Sequence, residues 1–182
     1  MSIRLFLLER WLPGPIRRGM FSELVRVTAA AFGSAAPDLG RLPPDAAVEA
    51  FARYTRQQVE RAHDAGSAAA GDARDRLYLG ARRMGATVRR AAGIGTHAEA
   101  MRALRLLYEA IGIEFAGDPR TGQVTVARCA FSRVYTPEVC AFISALDAGI
   151  ADGITGATLV FTERITEGAP CCRARLSWSA PR

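Results

Sequence analysis

Lysine is absent from the 182-residue chain, so its positive charge rests on 24 arginines. With much alanine and glycine beside them, this reads as a GC-rich, bacterial coding sequence, and arginine number alone identifies no partner. The net charge of +6 and isoelectric point near 9.8 permit attraction to nucleic acid or to a membrane surface. No recognised nucleic-acid motif accompanies the charge, so nucleic acid is not an expected partner. Histidine occurs only twice, at His63 and His97, each in ordinary helical surroundings. General-base work would then fall to carboxylates or thiolates.

Apolar runs long enough to cross a bilayer are also missing. The run Ile3–Leu8 contains Arg4, ends at Glu9 and Arg10, and has no small-residue cleavage site behind it. A cytoplasmic protein with no membrane partner is the expectation. There the four cysteines, Cys129, Cys140, Cys171 and Cys172, would be reduced thiols rather than two disulfides. Taken singly, each is a small buried hydrophobe; taken as a cluster, they point to catalysis, ligand binding or metal.

Hydrophobic content of 49% is that of a globular chain long enough to bury a core of its own. One domain over 1–182 is expected, with 1–111 as helical scaffold and 112–179 as a sheet-plus-helix unit carrying the cysteines. Residues 3–32 read as helix interrupted at Pro13-Gly14-Pro15, with Phe21, Leu24, Val25, Thr28 and Phe32 at helical spacing. A second helix follows Pro43-Pro44 and buries Val48, Phe51, Thr55 and Val59. Gly66 to Gly71 reads as a small-residue linker, and Asp72 as the N-cap of a third helix. That helix buries Leu77, Ala81, Met84, Val88 and Ala91, keeps its arginines elsewhere and ends at Gly93. Thr96-His97-Ala98-Glu99 fits a capping box, opening a helix with Met101, Leu104, Leu107, Tyr108 and Ile111 inward.

After Gly112 the period changes from helical to alternating. Ile113–Phe115 and Val124–Val126 predict a hairpin around Asp118-Pro119-Arg120-Thr121-Gly122. A helix from Pro137 to about Asp152 follows, then strands over Thr158–Thr166 and Cys172–Trp178. The order is an N-terminal helical half followed by a β-β-α-β-β antiparallel unit, an α+β fold.

Thr136-Pro137 is a strong helix start. Within the helix, Cys140 and Asp147 are seven residues apart and project from one flank of the apolar stripe, with Ser144 near them. Burial there would raise the Asp147 pKa unless a cation, Arg164 or Arg128, offsets it. In the last strand, period two puts Cys172 inward and Cys171 outward among arginines. Cys129 ends the second strand, and its facing is ambiguous because Val124 and Val126 have the opposite parity.

Cys129, the Pro137 helix with Cys140 and Asp147, the Gly149/Gly153 end, Arg164-Ile165-Thr166 and Gly168 to Cys172 together resemble the L-2-amino-thiazoline-4-carboxylate hydrolase-like family over about residues 100–178. Ala169-Pro170 stands where the family pattern carries acidic residues, and Cys171 is extra. The layout is also similar to vinyl-reductase/TRAPP-type ligand-binding domains. The resemblance implies hydrolytic opening of a small cyclic amidine ring. It implies Cys140 or Cys172 as a thiolate nucleophile, Cys129 as a further catalytic group, Asp147 as acid/base, and Tyr135, Arg164 and Ser144 as substrate contacts. No cofactor is implied. The alternatives are a non-catalytic small-molecule-binding or sensor domain, and a zinc site made by Cys129, Cys140, Cys172 and Asp147. The absence of any Cys-x-x-Cys pair counts against zinc. A small-molecule substrate or ligand is the expected partner, and a homodimer is compatible with the sequence.

Overall fold

A computed structural model describes residues 13–178. The Ile3–Leu8 run, the helix expected from residue 3 and the unit's end at residue 179 lie outside these residues. Four helices come first: α1 (Gly14–Ala31), α2 (Pro44–Asp64), α3 (Ser67–Ala92) and α4 (His97–Glu109). The hairpin β1 (Ile113–Gly117) and β2 (Gln123–Cys129) follows, then α5 (Pro137–Thr155), β3 (Ala157–Glu163) and β4 (Cys172–Trp178). Single 3-10 turns occupy Ala130–Arg133 and Ile165–Glu167. The four strands form one antiparallel sheet in the order β1-β2-β4-β3, which makes the fold α+β.

The predicted stripes supply the core. Leu24, Val25 and Thr28 of α1, Val48, Phe51, Thr55 and Val59 of α2, and Met101, Leu104, Leu107, Tyr108 and Ile111 of the α4 region are all buried. They join the inward residues of the sheet and of α5 in one contiguous apolar cluster. The capping box is present: the Thr96 hydroxyl accepts from the Glu99 N–H, and the Glu99 carboxylate accepts from the Thr96 N–H at 3.2 Å.

Four features differ from the sequence expectation. Helix α3 begins at Ser67 rather than after Asp72, because Gly66 takes a φ of 102° and the alanines behind it are strong helix formers. Asp72 is therefore an exposed residue inside the helix. The α3 stripe also drifts, as a 3.6-residue period must against a spacing of seven, so Ala92 is buried and Ala91 exposed. Strand β3 stops at Glu163, and Ile165–Glu167 turns instead of continuing the strand.

The fourth difference carries most weight. Helix α5 runs on to Thr155, so Gly149 and Gly153 lie inside it rather than at its end. A Cβ on Gly149 would stand 2.3 Å from the Tyr78 carbonyl oxygen, and one on Gly153 2.2 Å from that of Arg82. On the facing helix, a Cβ on Gly85 would meet the Ile150 carbonyl at 2.6 Å. The glycines let α3 and α5 touch backbone to backbone, which no larger residue permits. This crossing fixes α5, and with it the flank bearing Cys140 and Asp147.

Candidate active site: a thiol-lined cavity

Helix α5 is capped as its sequence dictates: the Thr136 hydroxyl accepts from the Val139 N–H at 3.3 Å, and Pro137 occupies the first turn. Val139, Phe142, Ile143, Leu146 and Ile150 face the core. The neighbouring flank presents Cys140 and Asp147 to a cavity of about 70 Å³. Its walls also include Cys129 from the end of β2, Cys172 from the start of β4 and Thr55 from α2. Tyr135 and Thr166 add hydroxyls to the lining, and Ile165 adds an apolar side chain. Such a volume exceeds the roughly 10–15 Å³ that one water needs, and is small beside the roughly 300 Å³ of a drug-sized pocket.

The facing of Cys129 is decided by a β-bulge. Phe115 pairs with Val126, but Glu114 pairs with Arg128, which leaves Ala127 as an extra residue in β2. Parity flips there, and Cys129 returns to the same side of the sheet as Val124 and Val126. Cys172 is buried, while Cys171 sits on the other side of the strand, outside the cavity. Three of the four thiols therefore meet in one cavity, together with Asp147.

Burial governs the protonation of all four groups. Desolvation raises the Asp147 pKa from 3.8 to about 6, against the lowering effect of the Tyr108 hydrogen bond and the Arg164 charge. The Tyr108 hydroxyl donates to Asp147 Oδ1 at 2.9 Å. Burial and the Asp147 carboxylate push the Tyr108 phenol well above its ordinary range. Desolvation pushes the Cys129 thiol up to about 12 and also raises Cys140 and Cys172. None of the three is poised as a resting thiolate at neutral pH. The Ile165 N–H donates to Cys172 Sγ at 3.4 Å. The Thr166 hydroxyl faces Cys140 and favours its thiolate, but the contact lies outside hydrogen-bond geometry and the oxygen has no partner among the described residues.

The substrate-contact candidates divide. Tyr135 lines the cavity, and its hydroxyl shares a 2.5 Å hydrogen bond with Thr55. Ser144 does not line it; its hydroxyl donates to the Cys140 carbonyl at 2.8 Å, and its side chain opens onto a neighbouring cleft. Arg164 lies in that cleft as well, close enough for its charge to lower the pKa values of Asp147, Cys140 and Cys172. Arg128, the other candidate cation, pairs with Glu114 on the exposed side of the hairpin. Helical spacing in the sequence marks Tyr108 as a core residue only. A buried tyrosine must still satisfy its hydroxyl, and that requirement was the available signal.

Among the described residues, no three or more His, Cys, Asp or Glu side chains are grouped to hold a metal ion. The histidines stand away from the cavity: His97 stacks on Trp178 at 4.2 Å and His63 packs against Phe142. No described helix is long and apolar enough to cross a membrane. No family model, no curated protein and no solved structure matches the chain.

Proposed function

We propose that the protein binds a small molecule in the cavity between Asp147 and the thiols of Cys129, Cys140 and Cys172. The observation that carries this reading is their convergence on one space from three separate elements, β2, α5 and β4. The cavity combines apolar walls with a few convergent polar groups and a carboxyl of perturbed pKa, the usual composition of a ligand site. The β-β-α-β-β sheet unit supports a likeness to vinyl-reductase/TRAPP-type binding domains at the level of fold. A cytoplasmic setting fits four free cysteines.

A second reading is hydrolysis of a cyclic amidine such as a 2-amino-thiazoline carboxylate. It is favoured by one observation, the Asp147 pKa of about 6. A group titrating there can exchange protons near neutral pH. In this reading Asp147 accepts a proton from the attacking water or from the Cys140 thiol. The nucleophile adds at the ring carbon between nitrogen and sulfur. The protonated carboxyl then returns the proton to the ring atom whose bond to that carbon breaks. Because the thiols rest protonated, attack by cysteine needs this transfer first. A water must then add to the same carbon and expel the Cys140 sulfur, which takes back a proton, to release the opened product. A zinc-centred reading draws no support from the arrangement of the described side chains.

The test incubates the full chain with 2-amino-thiazoline-4-carboxylate and with 2-aminothiazoline, following binding by ligand-observed NMR and products by chromatography. Saturable binding without ring opening, lost when Cys129→Leu fills the cavity, supports the binding reading. Ring opening that disappears in Asp147→Asn supports catalysis. No saturable binding of either compound up to about 10 mM overturns both readings.

A further inference from the structure

A second cleft of about 420 Å³ shares no lining residue with the thiol cavity. Arg74 and Tyr78 of α3, Ser144 and Ala148 of α5, and Phe161 and Arg164 at the end of β3 line it. Its size falls in the range of small-molecule sites, roughly 300–1,000 Å³.

Arg164 is the unusual group. Its side chain is 18% exposed, yet its contacts are long: 3.4 Å from Nη1 to Glu167 and 3.5 Å from Nη2 to the Ser144 hydroxyl. The Ser144 proton is already committed to the Cys140 carbonyl. Arg164 Nε is buried with no partner among the described residues, and the guanidinium lies 5.2 Å from the Phe161 ring centre. A largely desolvated cation with so little compensation is costly unless an anion completes it. Arg74, exposed on α3, makes no hydrogen bond or ion pair among the described residues. Tyr78 is occupied, donating to Asp152 at 2.5 Å.

We propose that this cleft is a second ligand site, taking a small monocarboxylate with an apolar body, held by Arg164 and Arg74. The planar guanidinium fork matches a carboxylate. Ala145, Ala148, Leu159 and Phe161 offer an apolar wall for the rest of the ligand. Asp75 stands in the same cleft and disfavours a dianion such as phosphate. The site does not depend on the thiol cavity being a ligand site.

The experiment titrates the full chain with benzoate and with inorganic phosphate at pH 7, by calorimetry and by NMR shift mapping. Benzoate is expected to bind saturably and more tightly than phosphate. Arg74→Gln should weaken it about tenfold, the effect of one charged hydrogen bond, and Arg164→Gln should abolish it. Should Arg164→Gln fail to fold, Arg74→Gln, a change on an exposed helix surface, decides the matter. Cys129→Leu, which fills only the thiol cavity, should leave benzoate binding unchanged. Binding that is lost in Cys129→Leu but untouched by Arg74→Gln would overturn the proposal. So would tighter binding of phosphate, or no saturable benzoate binding up to about 10 mM.

Discussion

Replacing Asp147 by asparagine should stabilise the protein at neutral pH and leave it little changed in acid. In the folded chain Asp147 titrates near 6, against 3.8 for an ordinary aspartate. The folded state thus holds the Asp147 proton more tightly than the unfolded chain does. Below 3.8 both states are protonated and the group costs nothing. Between 3.8 and about 6 stability falls as pH rises, and above that the full penalty is present. A rise of that size corresponds to about 3 kcal/mol, an upper value because Asp147 keeps some exposure. Asparagine cannot ionise, yet its carbonyl can still accept the Tyr108 hydrogen bond. Urea unfolding of wild type and Asp147→Asn at pH 4, 5, 6, 7 and 8 checks this. Other carboxylates titrate in the same range, but the difference between the two proteins isolates Asp147. It should be no more than about 0.5 kcal/mol at pH 4 and grow in favour of the variant to about 2–3 kcal/mol at pH 8. A difference that stays constant from pH 4 to pH 8 would refute the assignment of Asp147 as a desolvated carboxyl.

Tyr108→Phe removes the donor that favours the Asp147 carboxylate. It should cost about 1–3 kcal/mol at pH 8, less at pH 4, and move the Asp147 midpoint upward, read by carboxyl infrared titration. Gly153→Ala forces a methyl against the Arg82 carbonyl and should destabilise by about 1–3 kcal/mol or more in urea, despite alanine's better helix propensity. Gly71→Ala, inside α3 with nothing within 4 Å of the added carbon, should instead stabilise by about 0.5–1 kcal/mol.

What was legible in the sequence was what local periodicity and capping decide. The α2 and α4 stripes, the Thr96 capping box and the Thr136-Pro137 start depend on neighbours within a turn or two. The inward facing of Cys172 follows from period two within one strand. What escaped was set by long-range contact. Cys129 is aimed by a bulge that register with β1 imposes, and parity along β2 alone points it the wrong way. Gly149 and Gly153 look like a helix end until α3 is laid against them. Ser144 sits between Cys140 and Asp147 in sequence, but its side chain opens onto the Arg164 cleft instead of the cavity. Asn, Gln or His in the cavity lining would have flagged a polar site more openly; here the polar groups are thiols, hydroxyls and one acid, residue types that equally suit a core.

The claim that Cys129, Cys140, Cys172 and Asp147 share one small-molecule cavity is tested most directly by site-resolved alkylation. The four thiols are labelled with iodoacetamide at pH 7.5 and quantified by mass spectrometry, with and without saturating 2-amino-thiazoline-4-carboxylate. Without ligand, Cys171 should react first, because the other three thiols are held protonated by burial. The ligand should slow Cys129, Cys140 and Cys172 together and leave Cys171 unchanged. A fast-reacting Cys140 in the free protein, or protection that falls on Cys171 alone, would contradict it.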